Sequence, residues 1–167
     1  MNLTPAGSVP LPHPKQIKDL FTDLIGRDVD VKLGNPVLPG PALPAAVAVY
    51  VTDRTATGAV CVCDIALAAN LGAALAMIPA GAAKDAATSG LLSANLAENF
   101  YEIVNILASV FNDGDGAPHL RLWSVHAPGD KLPADVAAYV AQVPRRLDLD
   151  LTIAGYGPGR LSIAATL

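Results

Sequence analysis

The chain has 167 residues, a formal net charge of −4 and a hydrophobic content of 52%. This length suits one domain with a sizeable core, and the hydrophobic content excludes a disordered chain. A weakly acidic sequence without blocks of basic residues lacks the electrostatic footprint of a protein that binds nucleic acid or an anionic membrane, so neither partner is expected.

The first thirteen residues predict a flexible tail, followed by a single domain over residues 14–167. The tail carries three prolines and no positive cluster, which fits neither a signal peptide nor a transit peptide. The longest apolar stretch, residues 65–79, is too short to span a bilayer. Cys61 and Cys63 stand two apart in an apolar run, a spacing poorly suited to a disulfide. A reducing, cytoplasmic location is therefore expected.

The first elements predicted are a helix and a three-stranded meander. Residues 14–25 place their apolar side chains on one face, begin with proline and stop at Gly26, as amphipathic helices do. Three alternating or β-branched segments follow, with a Pro- and Gly-rich turn after the first of them: residues 29–33, 46–51 and 59–63.

A buried helix is predicted next, over residues 65–77. Asp64 can accept hydrogen bonds at its N-terminus, and the segment is rich in alanine and apolar on nearly all sides. Gly72 is its one weak point, because glycine is unfavourable inside a helix. Such a helix belongs in the core.

A long amphipathic helix is predicted over residues 89–111. One series of apolar residues at intervals of three and four predicts its core face: Leu92, Leu96, Phe100, Ile103, Leu107 and Val110. A second series at the same intervals predicts a polar stripe: Asn95, Glu98, Glu102, Asn105, Ser109 and Asn112. The two glutamates in this stripe are the only glutamates in the chain, which makes it the most informative feature of the sequence.

The remainder predicts a strand over residues 119–125, with Leu120 and Leu122 on one face and Trp123 and Val125 on the other. A short helix and a C-terminal hairpin with one solvent-facing side follow: residues 133–143, residues 147–153 and a returning strand through residues 161–163. This order of helices and strands indicates a single α+β domain.

Residues 102–105 (Glu-Ile-Val-Asn), followed after twenty-two further residues by Pro128, resemble the signature of the CheC/CheX family of chemotaxis phosphatases. That signature is Asp or Ser, three residues, Glu, two residues, Asn, twenty-two residues and Pro. Glu98 stands at its first position, where the family usually has Asp or Ser. The signature occurs once, as in CheX-type members, and the resemblance covers the chain from about residue 14.

The resemblance implies a CheC-like fold, in which a mixed or antiparallel β-sheet packs with long α-helices, and a homodimer. It also implies hydrolysis of the aspartyl phosphate on a CheY-type receiver domain of a response regulator. Asn105 would orient the attacking water and Glu102 would pair with a cationic side chain of the receiver, while Glu98, Ser109 and Pro128 would help to bind it. No metal or cofactor of its own is expected, because the Mg²⁺ would belong to the receiver.

Other interpretations remain open for the stripe. A polar stripe on a surface helix is usually a solvated face. A protein that docks on a receiver without hydrolysing it would be a noncatalytic binding module, or would resemble the flagellar switch proteins, which share the fold.

Three further motifs favour structural roles. Cys61 and Cys63 lack the four-ligand spacing of a metal site, so core thiols are expected. Asp113 and Asp115 lack the remaining ligands of a calcium loop, and a turn is expected there. The glycine-rich residues 155–159 lie between two predicted strands, where a hairpin turn is expected, whereas phosphate-binding loops of this composition precede a helix.

Overall fold

Six strands form one antiparallel sheet in the order β1-β5-β6-β3-β2-β4, in a computed structural model that describes residues 8–166. In chain order the elements are α1 (Pro14–Ile25), β1 (Val29–Leu33), β2 (Ala45–Val51), β3 (Thr57–Asp64), α2 (Ile65–Leu75), α3 (Ala80–Ser89), α4 (Ala94–Leu107) with a 3₁₀ segment (Ala108–Phe111), β4 (Arg121–His126), α5 (Ala134–Ala141), β5 (Arg146–Ile153) and β6 (Gly157–Ala165). The predicted α+β class is confirmed. No helix within the described range is long and apolar enough to cross a membrane.

Helices cover both faces of the sheet, which explains why β2 and β3 are almost wholly apolar. Alternate residues of β2 enter two different cores. Ala46, Ala48 and Tyr50 join the larger core, together with residues of α1 to α4, while Val47 and Val49 join a smaller core closed by α5. The sheet is thus the middle layer of three.

The predicted three-stranded meander is wrong. β2 and β3 pair as expected, but β1 pairs with β5, so that Val29 lies opposite Ile153 at the far edge of the sheet. The C-terminal hairpin of β5 and β6 is confirmed, and it lies between β1 and β3. Alternation identifies a strand by its exposed and buried sides but carries no information about which strand pairs with it.

The predicted helix over residues 89–111 is wrong in its first turn. A separate helix, α3, was not predicted and ends at Gly90, whose φ of 78° is left-handed. α4 starts anew after Ser93, whose side chain accepts a hydrogen bond from the Leu96 N–H at 3.3 Å. At the other end the last turn tightens into the 3₁₀ segment.

A β-bulge in β4 corrects the predicted facing of its side chains. Tyr50 pairs with Leu122 and Val49 with Ser124, which leaves Trp123 as the extra residue. Leu122 and Val125 consequently pack on the same core, although opposite faces were predicted for them. Trp123 is 56% exposed.

The predicted tail needs correction at its C-terminal end. Residues 1–7 lie outside the described residues. Val9 and Pro12 are buried, and the Val9 carbonyl accepts a hydrogen bond from Arg145. The packed part of the chain therefore begins by residue 9, because an apolar side chain in a Pro-rich segment is sufficient to attach it to the core.

The solvent-facing side of the hairpin contains one shielded polar network. The Asp148 side chain is only 13% exposed, pairs with Arg146 at 2.8 Å and accepts a hydrogen bond from the Ser162 hydroxyl at 2.6 Å. The same hydroxyl accepts the Val37 N–H at 2.8 Å, which fastens the loop before β2 to the sheet. Burial by itself would raise the pKa of Asp148. The hydrogen bonds from Arg146 and Ser162 lower the pKa by more than burial raises it, so the net shift is downward.

Asp148→Asn is expected to lower the free energy of unfolding by about 1–2 kcal/mol at pH 7. Because the folded-state pKa of Asp148 lies below its unfolded value, this stabilisation is complete above the unfolded pKa and disappears as the pH falls through the folded pKa. Urea unfolding of both proteins at pH 7 and near pH 3 measures the difference. Asp30→Asn, exposed on β1, is the control and should change little. A difference that grows on acidification would contradict the assignment.

Candidate functional site

The amphipathic prediction for α4 is confirmed. The buried residues of α4 are four of the six predicted for the core face, together with Val104: Leu96, Phe100, Ile103, Val104 and Leu107. Of the other two, Val110 is buried in the 3₁₀ segment, and Leu92 is half-buried before α4 begins. Asn95, in the first turn of α4, is exposed as predicted, and so are Glu98, Glu102, Asn105 and Ser109; these last four are called the polar stripe. Helical periodicity alone explains this arrangement, because residues three and four apart share a face.

The polar stripe is not used by the fold. Its four side chains lie within an arc of roughly 60° and extend about 16 Å along the helix axis. Within residues 8–166, none of them makes a hydrogen bond or an ion pair with another residue, so two carboxylates, an amide and a hydroxyl face outward unpaired. Such a surface can pair with cationic groups and can accept and donate hydrogen bonds at one place.

Asn112 does not extend this stripe, contrary to prediction. Its amide donates to the Leu120 carbonyl at 2.9 Å and its side-chain oxygen accepts the Leu120 N–H at 2.8 Å. These bonds close the loop that leads into β4. Both the nitrogen and the oxygen of the Asn112 amide are therefore used in holding this loop.

Gly72 fixes the position of α4 near its N-terminus. A Cβ atom at Gly72 would lie 2.6 Å from the Leu96 carbonyl oxygen, so α2 and α4 touch where only a hydrogen atom fits. The Asn99 amide also donates to the Gly72 carbonyl at 2.9 Å. The residue predicted as a weak point of α2 is thus required for packing α4 closely.

Tyr50 fixes α4 near its C-terminus. The hydroxyl of this buried residue donates a hydrogen bond to the Val104 carbonyl at 2.6 Å. This contact lies just before the 3₁₀ segment, where the Ala108 N–H donates to the Asn105 carbonyl. Burial raises the pKa of Tyr50 well above its ordinary value, which keeps the hydroxyl protonated as a donor. Its ring packs against Phe111 at a centroid distance of 5.1 Å. The only sequence signal for this role is a tyrosine in an otherwise aliphatic strand.

Pro128 is brought to α4 by the fold. It is buried and borders a cavity together with Phe100, on the core face of α4, and Tyr101, which lies nearer to the polar stripe. Its contact with a receiver stays a prediction, and the structure shows only that this buried proline faces the same cavity as residues of α4.

The three other motifs singled out in the sequence lie in places that favour a structural role. Cys61 and Cys63 are buried free thiols, as predicted, and the pKa of Cys63 is raised by its contact with Cys61 and by burial. Among residues 8–166, no group of three or more His, Cys, Asp or Glu could hold a metal ion. The predicted hairpin turn between β5 and β6 is confirmed over residues 154–156, while residues 157–159 of the glycine-rich segment already belong to β6. Asp113 and Asp115 are exposed in a loop.

Solved structures of other proteins share the fold of this chain. No protein-family model and no curated protein matches the chain. The FliM middle domain from H. pylori superposes with a TM-score of 0.60 at 9% identity, over 91% of this chain and 84% of that chain. The H. pylori FliM–SpeE complex gives 0.61 at 10% identity, over 91% and 80%. A chain of the CheX–CheY–BeF3–Mg²⁺ complex from Borrelia burgdorferi gives 0.48 at 11% identity, over 89% and 92%. The predicted CheC-like fold is confirmed.

Proposed function

We propose that this protein hydrolyses the aspartyl phosphate of a response-regulator receiver domain and that the polar stripe on α4 is the surface that meets the receiver. The observation that carries the proposal is the exposure of Glu102 and Asn105, without partners in the described chain, on a helix held near both ends. The choice of this reaction is based on the resemblance of residues 102–105 and Pro128 to the CheC/CheX signature.

Asn105 would act by positioning water. An aspartyl phosphate is a labile mixed anhydride, so the catalyst needs no nucleophile of its own and gains most by holding a water in line with phosphorus. The Asn105 amide has an acceptor oxygen and donor hydrogens for that task. The water oxygen bonds to phosphorus as the bond from phosphorus to the aspartate oxygen breaks. The receiver recovers its carboxylate, and inorganic phosphate leaves with the proton balance taken up by solvent.

Glu102 would fix the orientation of the docked receiver. It lies one helical turn before Asn105, so a cationic receiver side chain that pairs with it would be held next to the water site. Glu98 adds a second negative charge on the same face and Ser109 a hydroxyl beyond Asn105. The Mg²⁺ that balances the phosphate charge would belong to the receiver. Assembly as a homodimer remains part of this proposal.

A noncatalytic module is the second candidate. FliM middle domains superpose with TM-scores of 0.60 and 0.61, which favours a switch-type protein with this fold. Glu98, one methylene longer than the aspartate of the family signature, fits the same alternative, because a displaced carboxylate could bind a receiver without assembling the water site.

Phosphate release distinguishes the two candidates. Each receiver domain encoded in the same genome is phosphorylated with a small phosphodonor, and its dephosphorylation is followed with and without this protein. Faster release with one receiver supports the phosphatase. Binding without acceleration supports the noncatalytic module, and the absence of both removes the two candidates together.

Glu102→Gln is expected to weaken receiver binding about three- to tenfold at low salt, as the loss of one partly exposed charge pair does. The defect should shrink at high salt, where exposed charges are screened. Titration calorimetry with the receiver measures both. Asp85→Asn, exposed on α3, removes the same charge away from the stripe and serves as the control. Equal affinities of Glu102→Gln and wild type would contradict the pairing.

A further inference from the structure

An apolar cavity of about 200 Å³ opens beside the polar stripe. α4 and the segment before it contribute Leu92, Ala97, Phe100 and Tyr101, and the end of β4 and the loop after it contribute Val125 and Pro128. Phe100 and Pro128 are buried, whereas Tyr101 is 50% exposed and stands at the rim. This cavity is called the Tyr101 pocket.

The Tyr101 pocket lies on the same helix as the polar stripe, on the neighbouring flank of α4. Ala97 directly precedes Glu98, and Tyr101 directly precedes Glu102, so the pocket lies on the flank of α4 about 60–100° from the stripe. Neither glutamate lines the pocket, but two unpaired carboxylates lie on the adjoining face of α4, next in sequence to Ala97 and to the exposed ring of Tyr101. A domain-sized partner that docks on the stripe and extends over this flank of α4 would contact both surfaces.

We propose that the Tyr101 pocket receives one large apolar side chain of the receiver domain, phenylalanine or leucine in size, with a basic residue beside it that meets Glu98 or Glu102. This inference rests on the proposed function, since it assumes that receivers dock on the stripe. The two carboxylates on the adjoining face of α4 supply the charge complementarity. The size also fits, because a dry apolar cavity of about 150 Å³ already accommodates benzene.

The energetics of docking favour such an anchor. Exposed charge pairs contribute little to affinity, because water and salt screen them. Most of the affinity of an interface comes from a few apolar or aromatic side chains buried in pockets. On this surface the carboxylates would supply orientation and the Tyr101 pocket would supply affinity.

The test fills the pocket without touching the stripe. Ala97→Phe places a ring in the cavity, and Ala138→Phe is the matched control, because Ala138 is exposed on α5 across the sheet. Both variants are titrated with the beryllofluoride-loaded receiver domain that wild type binds best. Ala97→Phe is expected to raise the Kd at least tenfold, the scale of one apolar side chain left unburied, and Ala138→Phe less than twofold.

The outcomes separate this proposal from the proposed function. A Kd within twofold of wild type overturns the pocket even if phosphatase activity is found. A large loss of affinity supports the pocket even if no phosphate is released. If wild type binds no receiver, both fail.

Two further measurements keep the test decisive. If Ala97→Phe does not fold, Tyr101→Ala removes the rim instead and should raise the Kd at least fivefold, while an unchanged Kd overturns the proposal. Sedimentation velocity of wild type and of Ala97→Phe, each without receiver, tests whether a second copy of this chain fills the pocket instead. A dimer that Ala97→Phe dissociates, with receiver affinity unchanged, would also overturn it.

Discussion

Gly72→Ala is expected to destabilise the protein by about 1–3 kcal/mol, although alanine is the better helix former. The added methyl group would lie 2.6 Å from the Leu96 carbonyl oxygen, a backbone atom that cannot rotate away. α4 would have to move outward, which would also lengthen the hydrogen bond from Asn99 to the Gly72 carbonyl. Urea unfolding followed by circular dichroism measures the change.

Gly81→Ala provides the matched control. Gly81 also lies in a helix, α3, but a Cβ atom there would have no neighbour within 4 Å. The same substitution should therefore stabilise the protein by about half a kcal/mol, through helix propensity alone. Opposite signs for the two variants are the expected result. Stabilisation by both would mean that α2 and α4 are not packed as closely as described.

Local structure could be predicted from the sequence wherever one element determines its own pattern. The bounds of α1 match the prediction because proline, a one-sided apolar face and a terminal glycine all lie within the element. The exposure of Glu102 and Asn105 was predictable for the same reason, since helical periodicity determines which residues face away from the core. Asp64 caps α2 as expected, accepting the Leu67 N–H at 2.9 Å.

Features that depend on distant residues could not be predicted in this way. The pairing of β1 with β5 joins residues more than a hundred positions apart, and the bulge at Trp123 depends on the strand that β4 meets. In the sequence, Gly72 looks like any other unfavourable glycine inside a helix. Only the close approach of the Leu96 carbonyl in the folded chain reveals its role. The sequence pattern of Asn112 fits the stripe, yet the Leu120 backbone determines its conformation.

These distant contacts matter for the candidate site because they set its rigidity. Positioning catalysis requires that reacting groups be held to within a fraction of an ångström. α4 is held by backbone contact at Gly72 before the stripe and by the Tyr50 hydroxyl at Val104, next to Asn105. A merely solvated polar face has no need of such constraint, so the two anchors are compatible with the phosphatase and also with rigid docking.

Asn105→Ala distinguishes these possibilities with the largest expected effect on activity. If the amide positions the attacking water, its loss should slow phosphate release from the bound receiver about 10²-fold. Stability should change by less than about 0.5 kcal/mol, because the side chain is exposed and makes no hydrogen bond within the described residues. Receiver affinity should stay within about threefold of wild type, since Glu102 and the Tyr101 pocket are intact.

Single-turnover dephosphorylation at saturating protein isolates this step from binding. Asn95→Ala is the control, because it makes the same substitution at an exposed position of α4, about 15 Å along the axis from Asn105. It should release phosphate at the wild-type rate. Asn105→Asp adds a finer comparison, because aspartate keeps the acceptor oxygens and loses the donor hydrogens, and it should recover only part of the rate. Equal rates for wild type and Asn105→Ala would exclude a catalytic role for this amide and leave the noncatalytic module as the function of the stripe.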